Sequence, residues 1–119
     1  MTKIKFKNQT HEKKFYHYCN ILPQHKQNPE GYAVAYLLAL IGEHENDIFD
    51  FKHAVIKPDG IHEAWQTGTT KRATALLFTL WNGYFADPEK GNLYDIFGYS
   101  EWDRYFLEAI RIRYFQTIG

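Results

Sequence analysis

Asn28-Pro29-Glu30-Gly31-Tyr32-Ala33-Val34-Ala35-Tyr36-Leu37-Leu38-Ala39-Leu40-Ile41-Gly42 is the stretch that decides the fold. Asparagine is a strong helix N-cap, and proline is tolerated at the first helical position, where its missing amide has no partner to lose. Glycine at the far end suits the left-handed residue that closes a helix. Between these signals, residues 33–41 are apolar on nearly every side, so the helix has no face to give to water. Such a helix sits in the middle of a domain with the others packed around it.

Two further helices follow from periodicity. Trp102, Tyr105, Phe106, Ala109, Ile110 and Ile112 recur at three- and four-residue steps, and Ser100 followed by Asp103 has the form of a capping box, which predicts a helix starting near Glu101. Thr69 or Thr70 can cap a helix running to about Tyr84, with Ala73, Leu76, Leu77, Leu80, Trp81 and Tyr84 as its stripe. Residues 10–19 form a shorter helix, and 47–52, 60–65 and 93–97 read as single helical turns between turn-forming residues. Residues 2–7 alternate like a strand but have no second strand to pair with. The expected architecture is mainly α: a compact helical bundle around a central apolar helix, with at most a short extended segment at the N-terminus, and one domain over residues 1–119.

Composition narrows the function classes. The 119 residues carry 14 Lys plus Arg against 14 Asp plus Glu, which argues against a nucleic-acid binder working through an overall positive field. The charge is polarised along the chain: residues 1–26 carry a balance of +5 and residues 27–69 a balance of −5. A single cysteine, Cys19, excludes an internal disulfide and fits a reducing compartment. The first eight residues lack an apolar targeting core, and the longest apolar run is far short of the ~18 residues of a membrane span. We expect a cytoplasmic protein with no membrane partner.

Candidate chemistry is sparse. His44 and Asp47 share a helical face, as do Asp50 and His53, so imidazole and carboxylate could converge on a zinc ion; the spacing matches no established metal motif. Cys19 beside His17 is a weak nucleophile candidate and a better packing residue. Residues 66–72 place a glycine, hydroxyls, Lys71 and Arg72 at a helix start, a setting that suits anions, although the P-loop spacing is absent. Lysines interleave with aromatics near the N-terminus, which leaves weak nucleic-acid binding as a further alternative. Aromatic residues make up 18% of the chain, and tyrosine is enriched at partner surfaces. Lys13, Lys14, Tyr16, Tyr18, Tyr99 and Tyr114 are therefore the candidate partner-binding residues. Gln66, Thr67, Asn82, Glu108 and Arg113 are polar groups beside aromatic stripes. They either satisfy one another in an internal network or line a polar cleft.

Trp65-Gln66-Thr67-Gly68-Thr69, then Leu80-Trp81-Asn82-Gly83 and Glu108-Ala109-Ile110-Arg111-Ile112-Arg113-Tyr114, give the chain a resemblance that extends over nearly its whole length. Phe6-Lys7-Asn8 with His11 and Phe15, and Asp47-Ile48-Phe49-Asp50, add to it; residues 20–32 contribute least. In these segments the chain resembles an uncharacterised family, a domain of unknown function, of small bacterial and phage proteins. The resemblance implies a setting among prophages and mobile elements and implies no reaction. With no catalytic signature, the expected role is that of a non-enzymatic interaction protein that binds and inhibits a host protein, such as a CRISPR or other immune nuclease, without a cofactor. The competing expectation is a zinc-binding protein or metal-dependent enzyme built on His44, Asp47, Asp50 and His53.

Overall fold

The computed structural model describes residues 3–81 and 93–115. Helices α1 (Gln9–Ile21), α2 (Pro29–Ile41), α3 (Glu45–Ile48), α4 (Gly68–Leu80), α5 (Leu93–Ile96) and α6 (Asp103–Tyr114) account for most of it. The only strands among the described residues are β1 (Phe49–Asp50) and β2 (Val55–Ile56), an antiparallel pair in which Phe49 faces Ile56. The chain is mainly α, as its periodicity requires.

Helix α2 is the central element. Asn28 accepts the Gly31 amide at 2.9 Å, Pro29 occupies the first turn, and Gly42 closes the helix at φ 92°. Residues 33–40 are all buried, and α1, α4 and α6 pack around them. Helix α1 is capped by Asn8 and turns His11, Phe15 and Tyr18 inward. Gly31 lies so close to the Lys26 carbonyl that no side chain could stand there.

Three helix ends differ from the local signals. Helix α4 is capped by Thr67, not Thr69 or Thr70, and Thr70 returns the bond to the Thr67 amide at 2.7 Å, a reciprocal capping box. It ends at Leu80, short of the expected Tyr84, which lies outside the described residues. Helix α6 begins at Asp103 with no side-chain cap, because Ser100 accepts the Trp102 amide within a turn and Asp103 reaches back to the Gly98 amide. The predicted helical turn over residues 47–52 is instead the end of α3 followed by β1.

The described residues of the alternating N-terminal segment carry no regular secondary structure and belong to no sheet. Ile4 and Phe6 turn toward the core, and Phe6 lies among His11, Phe15, Tyr16 and Tyr36 with ring centroids 5.3–6.1 Å away. Its backbone is satisfied by side chains from three helices. The Lys5 amide donates to Glu108 of α6 at 2.7 Å, the Tyr36 hydroxyl of α2 donates to the Lys5 carbonyl at 2.6 Å, and the Lys7 amide donates to His11 Nδ1 of α1 at 3.0 Å. A strand's ladder is thus replaced by three side-chain bonds. The segment forms a strap over the helices.

Candidate functional site

Helix α6 is amphipathic in an unusual way. Phe106, Ala109 and Ile112 are buried on its inner face, and Glu108 is buried beside them as the strap's acceptor. Its outer face runs through positions 104, 107, 111 and 114, at three- and four-residue steps. A solvated helix face is normally polar along this line. Here Leu107 is 59% exposed, Tyr114 57% and the adjoining Phe115 66%, interleaved with Arg104 and Arg111. Lys5, Arg104, Tyr105, Leu107, Glu108 and Arg111 line a groove of about 460 Å³ between this face and the strap.

The surface is held in place from beneath. Arg113 donates from Nε to the Leu80 carbonyl at 3.0 Å, stands 3.6 Å from the Glu30 carboxylate and lies 4.8 Å from the centre of the Tyr114 ring. It therefore braces Tyr114 by a cation–π contact. Glu108 accepts two bonds from Arg111, at 2.7 and 2.9 Å, besides the Lys5 amide. Burial alone would raise its carboxyl, yet the Arg111 guanidinium and the Lys5 amide hold it below its ordinary value. The guanidinium is pushed upward in return by its bonds to Glu108. Both groups are charged, fixed and adjacent to exposed apolar side chains.

The other candidate residues divide by environment. Tyr16 is exposed and leans on Phe6 and Phe15, Tyr99 is exposed under the Arg72 guanidinium, and Lys13 is exposed. Tyr18 is a correction: it is buried, donates to Glu45 at 2.9 Å and stacks on Phe51 at 5.5 Å, so it is no surface anchor. Burial and the Glu45 carboxylate push its hydroxyl well above the usual phenol range. Lys14 is not a free rim charge either, since its ammonium donates to the Gly42 carbonyl and ties α1 to the end of α2.

Among the described residues no hydrogen bond joins Gln66, Thr67, Glu108 and Arg113 to one another. Gln66 donates to the Gly60 carbonyl and to Thr74, Thr67 caps α4, and Glu108 and Arg113 make the bonds already described. Asn82 lies outside the described residues. The histidine-rich segment likewise separates into two pairs. His53 and Asp50 bond at 2.7 Å, while His44 stands 3.7 Å from Asp47 and stacks on Trp65, whose indole donates to Asp47. The His53 bonds hold Asp50 below its ordinary value. Among the described residues no three His, Cys, Asp or Glu side chains gather as a metal site would require. Burial pushes the Cys19 thiol up to about 12, so it is protonated and unreactive at neutral pH.

Leu107 and Phe115 are absent from the sequence-derived candidates. Leu107 has a usable signal, because it is an apolar residue off the buried stripe of 106, 109 and 112. Among the described residues no helix is long and apolar enough to cross a membrane. No curated protein and no solved structure matches the chain. A family model does, over residues 1–118, and by that match the chain belongs to DUF6075, a family of unknown function.

Proposed function

We propose that this protein acts by binding another protein, without catalysis, through the outer face of α6. One observation carries the reading: Leu107, Tyr114 and Phe115 stand exposed beside Arg104 and Arg111 on a helix whose other side is firmly packed. Tyrosine and arginine are the residues that most often dominate binding energy at protein interfaces, and a braced side chain loses little freedom on docking. In the mobile-element setting that the family resemblance implies, the partner is a cytoplasmic host protein, with an immune nuclease of the CRISPR type as the favoured kind. Burial raises the Cys19 thiol, which supports a role that makes no use of a thiol nucleophile.

The test is dose together with surface variants. The biological effect should require the protein at roughly the concentration of its target, and Leu107→Ala and Tyr114→Ala should each weaken partner binding about tenfold or more with an unchanged circular dichroism spectrum. A full effect at about a hundredth of the target's concentration, with turnover, would overturn the proposal in favour of catalysis.

A further inference from the structure

A second concavity, of about 380 Å³, lies along the first turns of α4, and Ile61, His62, Lys71, Arg72, Asp95 and Tyr99 are among the residues that line it. Arg72 is the unusual member. Its guanidinium stacks 4.5 Å from the centre of the Tyr99 ring, its Nε is buried without a hydrogen-bond partner, and among the described residues it meets no carboxylate. Arg111 and Arg113 are each tied to a glutamate or a carbonyl, and Arg104 stands exposed on α6. A half-buried guanidinium pre-set on an aromatic ring and left without an acceptor is half of an anion site. Lys71, exposed at the same cavity, supplies a second positive charge, and His62 a ring nitrogen.

The cavity has a second character. Ile61 and Ala75 give it an apolar wall, and Tyr99, 57% exposed, has one face on Arg72 and the rest of its ring open. An anion alone would leave these surfaces unused. Small-molecule sites combine such apolar walls with a few polar groups that fix orientation, in volumes of roughly 300–1,000 Å³. At the helix start the Thr70 and Lys71 amides are already bonded by Thr67. The side chains have to carry the binding.

We propose that this groove binds a small phosphate monoester, with the phosphate held by Arg72 and Lys71 and its organic part against Ile61 and the open face of Tyr99. Phosphate suits the fork of donors on arginine, and a planar organic group suits the tyrosine ring. The site is separate from the α6 face and stands or falls independently of the role proposed for it.

The experiment is a two-dimensional NMR titration of the full chain with adenosine 5′-monophosphate, inorganic phosphate and adenosine. Both phosphate-bearing probes should shift the amides of residues 68–72 and 99, with the monoester binding more tightly than inorganic phosphate. Adenosine should bind at least tenfold more weakly than its monophosphate. Lys71→Gln, at an exposed position, and Arg72→Gln should each weaken the monophosphate at least tenfold, and Arg72→Lys should restore only part of the loss. Should Arg72→Gln disturb the fold, the Lys71 variant alone decides. Adenosine binding as tightly as its monophosphate, unchanged binding in the Lys71 variant, or shifts confined to other regions would each overturn the assignment.

Discussion

Lowering the pH from 7 to 4 should remove about 3 kcal/mol of stability through one residue, His11. The ring is 2% exposed, accepts the Lys7 amide at Nδ1 and donates from Nε2 to the Tyr36 carbonyl at 3.0 Å, so its neutral form fills both bonds. Burial pushes its pKa from 6.5 down to about 4, Lys7 adds to the drop, and the Tyr36 carbonyl opposes it. A proton on Nδ1 would also displace the Lys7 amide and release the strap. Between pH 6.5 and 4 the unfolded chain therefore takes up a proton that the folded chain refuses. Stability is full above 6.5, falls with pH through this window and levels off below about 4. At about 1.36 kcal/mol per pH unit the interval is worth about 3 kcal/mol, a large share of the roughly 5–15 kcal/mol that holds a domain together. Urea unfolding followed by tryptophan fluorescence at pH 7, 6, 5 and 4.5 would show the slope, and His11→Gln should abolish it while lowering stability at pH 7. Equal slopes between pH 6.5 and 5 in the two proteins would refute the reasoning.

The strap's other ties make further expectations. Glu108→Gln should cost about 1.5–3 kcal/mol at neutral pH, the range for a hydrogen bond to a charged group, and should speed hydrogen exchange at the Lys5 amide. Because the native Glu108 carboxyl lies below its ordinary 4.5, its contribution is present above that pH and disappears as the pH falls further, after most of the His11 loss. Gly31→Ala should prevent folding or cost about 3 kcal/mol or more, measured by thermal melting, since the new carbon would collide with the Lys26 carbonyl. Cys19 should react with a disulfide reagent at pH 8 at least about tenfold more slowly than an open thiol, because a thiol moved from 9.0 to about 12 holds far less thiolate; fast labelling of the folded protein would contradict its burial.

Helix α2 was fully legible because every signal that sets it is local: Asn28 as cap, Pro29 inside the first turn, Gly42 in the left-handed region and an apolar surface between. Helix α6 was legible in its stripe but not in its start. Ser100 and Asp103 satisfy turn amides as readily as helix amides, and the sequence does not say which wins. The strap alternates like a strand without a partner, and its partners are side chains 4, 31 and 103 residues away, two of them beyond the reach of any local pattern. For Tyr18 the local spacing does carry the signal of burial. His11, Phe15, Tyr18 and Leu22 are spaced by four, three and four residues, all four are buried, and Tyr16 stands off that line. Spacing alone groups the histidine segment, but the turn into β1 separates Asp50 and His53 from His44 and Asp47.

The strap also fixes an order of events in folding. Helices α1 and α2 meet through a short connection and can pair early, whereas the Lys5 amide must wait for Glu108, 103 residues along the chain. Closing so large a loop before α6 is seated would spend chain entropy with nothing gained in return. The Lys5–Glu108 bond should therefore form after the rate-limiting step, and Glu108→Gln should accelerate unfolding while leaving the folding rate nearly unchanged. The bond that spans 103 residues should then be among the last to form and the first to open.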